Sequence, residues 1–160
     1  MASVAKNILH VDDDPQITRI VAKKLEHFGF TVKSVNDPLA AMPCITQENF
    51  RVVLLDIEMP GKDGMQLLEE IKHHDGGVQV VLLTGIVTLQ TALMSLRRGA
   101  EACFFKPLND FEPLAEAIDA CFTKINRWWA TMDELSRRRT GKFPAASEQS
   151  TQSDASAVHG

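Results

Sequence analysis

The sequence predicts an α/β domain built on a doubly wound, five-stranded parallel sheet of order 2-1-3-4-5, with an extended C-terminal helix. Three observations point there. Short apolar runs alternate five times with amphipathic segments, the pattern of strands joined by crossover helices. The runs are too short for ordinary helices and are apolar at successive positions, as strands covered on both faces are. The links between them are short, and right-handed crossovers with short links favour the doubly wound order.

Ile8–Val11 reads as the first strand. Asp14-Pro15 then supplies an N-cap and a proline at the first helical position, where a missing N–H has no cost. That helix carries Ile17, Val21 and Leu25 on one face with Phe28 near its end, and Gly29 stops it. Thr31–Val35 is the second strand. Asp37-Pro38 opens the second helix by the same device, although Pro43 inside it should break or kink it. Arg51–Leu55 and Gly64–His73 form the third strand and helix. Val78–Leu83 and Thr88–Arg98 form the fourth pair, ended by Gly99. Ala102–Phe105 is the fifth strand, and the last helix opens near Asp110. Neither proline nor glycine interrupts Leu114 to Thr140, so nothing stops that helix early. The expected organisation is a domain over 1–126, a helical extension over 127–140, and a polar, disordered tail over 141–160.

Composition narrows the function. The hydrophobic share of 44% supports a real core. A net charge of −4 argues against general nucleic-acid affinity, so no direct DNA binding is expected. Cys44, Cys103 and Cys121 are widely spaced and form no C-x-x-C pair, which reads as reduced thiols rather than a disulfide or zinc framework. The N-terminus does not read as a signal peptide, and no apolar run reaches membrane-spanning length. A cytoplasmic protein without a membrane role is expected.

Four polar features directly follow apolar strands: Asp12-Asp13, Asp56, Thr84 and Lys106-Pro107. In the predicted order strands one, three, four and five are neighbours, so these features converge at the carboxyl edge, where such sheets bind ligands. Asp56 is expected at the mouth of that site, within reach of solvent and a partner. Clustered carboxylates repel unless a cation joins them, and an oxygen-rich cluster suits Mg²⁺. A lysine and a hydroxyl beside them complete a clamp for phosphoryl oxygens while a carboxylate attacks in line.

These residues resemble the receiver domain of two-component response regulators (CheY-like), over roughly Lys6 to Ile125. The resemblance rests on Ile8-Leu9-His10-Val11-Asp12-Asp13-Asp14, on Leu55-Asp56-Ile57-Glu58-Met59-Pro60-Gly61-Lys62-Asp63-Gly64, on Leu83-Thr84-Gly85, and on Gly99-Ala100 with Phe105-Lys106-Pro107. It implies a flavodoxin-like (βα)5 fold and a phosphoprotein. In that reading Asp56 takes a phosphoryl group from a phosphohistidine of a sensor histidine kinase or phosphotransfer protein. Asp12, Asp13, Asp56 and the Glu58 backbone carbonyl would hold Mg²⁺, Thr84 and Lys106 would bind the phosphoryl oxygens, and the Lys106-Pro107 bond would be cis. Glu58 and Ile86 would flank access to the phosphoryl group. The family's aromatic switch position is Cys103 here, so the output mechanism departs from the usual one. No enzyme activity is implied beyond self-catalysed phosphotransfer and autodephosphorylation.

Blander roles compete for single residues. Asp14 reads as a helix N-cap rather than a ligand. His10 reads as a packed or hydrogen-bonded strand residue, and His73 and His74 as solvated ends of a helix. Only 35 residues follow Ile125, mostly polar, so a phosphorylatable module without an attached effector domain is expected, acting on an unidentified downstream protein. Its alternative is the N-terminal piece of a larger regulator. A haloacid-dehalogenase-like phosphohydrolase would use Asp12 and Asp14, but Gln16 stands where that pattern needs Thr or Val. Finally, Ile118, Cys121, Ile125, Trp128, Met132 and Leu135 recur at 3-4 spacing, a heptad seam by which the last helix is expected to offer a partner surface, for a homodimer or for a different docking partner.

Overall fold

Apolar residues at alternate positions of each strand face opposite sides of one sheet. The computed structural model describes residues 4–140. It contains β1 (Asn7–Val11), β2 (Thr31–Val35), β3 (Val52–Leu55), β4 (Gln79–Thr84) and β5 (Ala102–Phe105). All neighbours pair in parallel, in the order β2-β1-β3-β4-β5. This is the predicted order. Leu9, Val11, Val53, Leu55, Val80 and Leu82 pack on one side. Ile8, Val52, Leu54, Val81 and Leu83 pack on the other.

The helices are α1 (Pro15–His27), α2 (Ala41–Glu48), α3 (Gly64–His74), α4 (Leu89–Arg97) and α5 (Glu112–Arg139). The first face is covered by Ile45 of α2 and by Leu67, Leu68 and Ile71 of α3. The second is covered by Val21 and Leu25 of α1 and by Leu114, Ile118 and Phe122 of α5. Asp14 caps α1 by accepting the Gln16 N–H, and Gly29 follows the helix at φ 91°, a left-handed conformation costly for other residues. One compact unit closes at Asn126, and Arg127 begins a second. The predicted tail, 141–160, lies outside the described residues.

Two local expectations need correction. Pro43 neither breaks nor kinks a helix. Pro38–Ala40 form a separate 3-10 turn, and α2 proper begins at Ala41. Pro43 therefore sits in the first α-turn, where backbone N–H groups lack intrahelical partners anyway. Second, Thr84 is the last residue of β4 rather than the first beyond it. As expected, α5 opens near Asp110: it starts at Glu112, whose N–H donates to Asp110 Oδ1 at 2.9 Å.

Candidate functional site

Backbone pairing continues one step past the strand ends and fixes the site. Asp12 N–H donates to Val35 O (3.1 Å), Asp56 N–H to Val11 O (3.0 Å), and Lys106 N–H to Thr84 O (2.8 Å). Each side chain therefore leaves from a position as rigid as the sheet. Asp12, Asp13 and Asp56 bring carboxylate oxygens within 4.8 Å of one another. Lys106 Nζ donates to Asp12 Oδ2 at 2.6 Å and lies 3.3 Å from Asp56 Oδ2. Asp12 and Asp56 are buried and Asp13 is exposed. The sequence placed Asp56 at an open mouth, but the carboxylate is only 6% exposed and lies at the floor of the cluster.

That placement costs solvation. Burial pushes the Asp56 carboxyl above the usual carboxylate range, Lys106 opposes the shift, and the Asp12 charge adds to it. For Lys106 burial works against the charge, yet the bond to Asp12 and the Asp56 charge prevail and hold the ammonium above its ordinary value. Asp56 Oδ1 has no hydrogen-bond partner although it is buried. A buried carboxylate oxygen without a donor, beside two further carboxylates, fits a hard divalent cation: Mg²⁺ takes one or two carboxylates and keeps several waters.

The surrounding residues hold this cluster in place. Asp14 N–H donates to Asp12 Oδ1 at 3.0 Å while its own carboxylate caps α1, so Asp14 is a cap and stands outside the acidic cluster. Thr84 is fully buried, and its hydroxyl oxygen accepts the Ile86 N–H at 3.1 Å. The Lys106-Pro107 peptide bond is cis. Glu58 and Ile86 line one groove of about 520 Å³, together with Met59, Met65 and Met94. Cys103 is half-buried on β5 opposite Leu82, and burial pushes its thiol pKa up. Ser95 Oγ of α4 donates to Thr91 O at 2.6 Å. Cys103 packs against the apolar cluster on the α2/α3 side of the sheet. His10 is fully buried with neither ring nitrogen partnered, and burial pulls its pKa down to about 4.

Two residues with no role assigned from sequence also shape the site. Asn36, just past β2, donates to Asp12 O at 2.9 Å and to Thr18 Oγ1 at 3.1 Å, tying the acidic loop to α1. Its signal was an amide at the same carboxyl edge as the other polar strand ends. Gly64 donates to Ile57 O at 2.8 Å, and a Cβ there would strike the Asp56 and Ile57 backbone. Its signal was a glycine directly after Asp63, which caps α3 through the Met65 N–H.

Comparison with known proteins gives concordant results. Residues 8–119 match the family model of the response regulator receiver domain. The chain is 35% identical over 108 residues to the nitrogen assimilation regulatory protein NtrX of Azorhizobium caulinodans, covering 66% of this chain and 24% of that one. It is similar to the crystal structure of a CheY-like response regulator receiver domain protein from Methanospirillum hungatei, at 30% identity and a TM-score of 0.71. That match covers 78% of this chain and 98% of the other. The response regulator TrrA of Thermotoga maritima, solved in complex with Mg²⁺-BeF, is similar at 29% identity and a TM-score of 0.66, covering 72% of this chain and 98% of that one. The chain spans 24% to 48% of the length of the curated relatives it matches.

Proposed function

Because the chain belongs to the response regulator receiver domain family, we propose that it is a phosphorylation-controlled signalling module whose phosphoacceptor is Asp56. One observation carries this reading: Lys106 Nζ bridges Asp12 and Asp56 at the floor of a three-carboxylate cluster while Asp56 Oδ1 stays unpartnered. The donor is a phosphohistidine of a sensor kinase or phosphotransfer protein. An Asp56 oxygen attacks phosphorus, an O–P bond forms as the P–N bond breaks, and the imidazole keeps the electron pair and takes a proton. Lys106 holds positive charge where the phosphoryl oxygens gather. Thr84 already accepts the Ile86 N–H, which leaves its own proton to donate to one of them.

Asp12, Asp13, Asp56 and the Glu58 carbonyl would hold Mg²⁺. When bound, the ion supplies charge neutralisation for the carboxylates and the transferring group. Asp12 also fixes the Lys106 ammonium, and Asn36 fixes the Asp12 loop. In autodephosphorylation water attacks phosphorus, the bond from phosphorus to the Asp56 oxygen breaks, and inorganic phosphate leaves the regenerated carboxylate; Glu58 and Ile86, which share the adjoining groove, set the water's access. Nothing in this scheme requires multiple turnover of a substrate. The phosphohydrolase alternative needs Asp14 at the reacting centre, and its carboxylate is instead spent on the α1 cap.

A second reading takes the chain as the regulatory piece of a larger regulator, favoured by the partial coverage of its relatives. Several of these are named transcriptional regulatory proteins, so the expectation of no DNA contact draws no support from them. Among the described residues no helix is long and apolar enough to cross a membrane. The test is intact mass after incubation with acetyl phosphate and Mg²⁺. One phosphoryl group is gained, and none by Asp56→Asn. A gain that persists in Asp56→Asn refutes the assignment.

A further inference from the structure

Asp13 is the exposed carboxylate of the acidic cluster, and among the described residues no hydrogen bond or ion pair holds it. Asp12, by contrast, is held on every side. Its carboxylate takes the Lys106 ammonium and the Asp14 N–H. Its backbone is gripped by two successive residues, the last of β2 and the first beyond it. The Asp12 N–H donates to Val35 O at 3.1 Å, and the Asp12 carbonyl accepts from Asn36 Nδ2 at 2.9 Å. A peptide unit is planar, so a bond to that carbonyl fixes the plane joining Asp12 to Asp13. The direction in which Asp13 leaves the chain follows from that plane. The least supported carboxylate of the cluster is thus aimed through its backbone.

The donor that fixes the plane is itself fixed. Asn36 Nδ2 also donates to Thr18 Oγ1 at 3.1 Å. Thr18 is buried, and its hydroxyl gives its one proton to Pro15 O at 3.2 Å, so towards Asn36 it can only accept. The Asp12 carbonyl also can only accept. Both contacts therefore require the amide nitrogen, with one hydrogen used on each. The two bonds span 24 and 18 residues and join the acidic loop, over the end of β2, to the first turn of α1. We propose that Asn36, held by Thr18, is a positioning residue that sets the affinity of the acidic cluster for Mg²⁺ by orienting the Asp12–Asp13 peptide. It acts through Asp13 rather than as a ligand, and its role rests on the reading of the cluster as a Mg²⁺ site.

Outer partners that orient metal ligands are typically worth roughly ten- to a hundredfold in metal affinity. Asn36 is exposed and water competes for its amide, so the effect belongs at the lower end, about tenfold. Magnesium demands near-ideal octahedral geometry, so a misdirected carboxylate is a poor ligand for it. The loss falls on the cation before it falls on phosphoryl transfer. Lys106 keeps its contacts with Asp12 and Asp56 when Asn36 is removed, because neither runs through the amide.

Mg²⁺ is titrated into the full, unphosphorylated chain, and the dissociation constant is read from the NMR shifts of its backbone amides. Asn36→Ala raises that constant about tenfold. Thr18→Val, which removes the hydroxyl and nearly keeps the volume, raises it about threefold, and Thr18→Ser restores the parent value. With acetyl phosphate as donor, the larger effect of Asn36→Ala falls on the half-saturating Mg²⁺ concentration rather than on the plateau rate. Parent binding that Asp13→Ala abolishes and Asn36→Ala leaves unchanged overturns the role of Asn36 while the Mg²⁺ site stands. A parent chain that binds no Mg²⁺ overturns both. A Thr18→Ser variant as weak as Thr18→Val, or a plateau rate that falls as far as the affinity does, also overturns the proposal, since either would make these residues general supports of the fold.

Discussion

Replacing Gly64 with alanine perturbs the candidate site while leaving every one of its polar groups in place. The N-terminus of α3 rests directly on the backbone that carries Asp56. An ideal Cβ at Gly64 meets Asp56 O first, then Ile57 Cα at 2.6 Å and the Asp56 carbonyl carbon at 2.9 Å. All three are backbone atoms, so no rotamer change relieves the overlap. The loop itself must move away from α3, breaking the 2.8 Å bond from Gly64 N–H to Ile57 O. Overpacking usually costs 1–3 kcal/mol, and backbone neighbours place this case at the upper end, about 3 kcal/mol. Against the 5–15 kcal/mol typical of a domain that is a large loss, and the midpoint should fall by about 10 °C. The displacement also moves Asp56 relative to Lys106, so phosphorylation by acetyl phosphate should slow by about ten- to a hundredfold. Urea unfolding and thermal melts measure the first effect, with Gly85→Ala, where the added Cβ meets open space, as the control. A loss below about 0.5 kcal/mol for Gly64→Ala refutes the claim that close approach fixes this loop.

Magnesium should raise the melting temperature, since a ligand at ten times its dissociation constant stabilises the folded state by about 1.4 kcal/mol. Asp13→Ala should abolish that gain and slow phosphorylation together, and phosphorylation unchanged in excess chelator would contradict the cation's role. His10 titrates at 6.5 in the unfolded chain and at about 4 when folded, so the fold refuses a proton that the unfolded state accepts. Its contribution is complete above pH 6.5 and is lost as pH falls toward 4, amounting to about 3 kcal/mol. The raised Asp56 carboxyl works in the opposite sense as pH falls. The His10 effect is therefore read as the difference between parent and His10→Leu in stability measured across pH 4–7. Parallel curves would show that His10 carries no such penalty.

Short apolar runs, capping residues and the polar residue after each run are local signals, and they determined the sheet order and the membership of the acidic edge. Asp12, Asp13, Asp56 and Lys106 were legible because a strand end is a position along the chain before it is a place in space. The tertiary structure decided what those residues do to one another. Lys106 lies nearer Asp12 than Asp56, across a separation of 94 residues, and no periodicity encodes that choice. Asp56 is buried rather than open where Asp12 and Lys106, from other strand ends, close on its carboxylate, a meeting that no single element reveals. Pro43 is accommodated because a 3-10 turn takes up the preceding residues, which depends on how α2 meets the sheet. His10 is neutral because the strand carries it into a closed core that offers it no partner. Local pattern fixes which face and which end a residue occupies. Partner, distance and solvation arise only when distant segments share one volume.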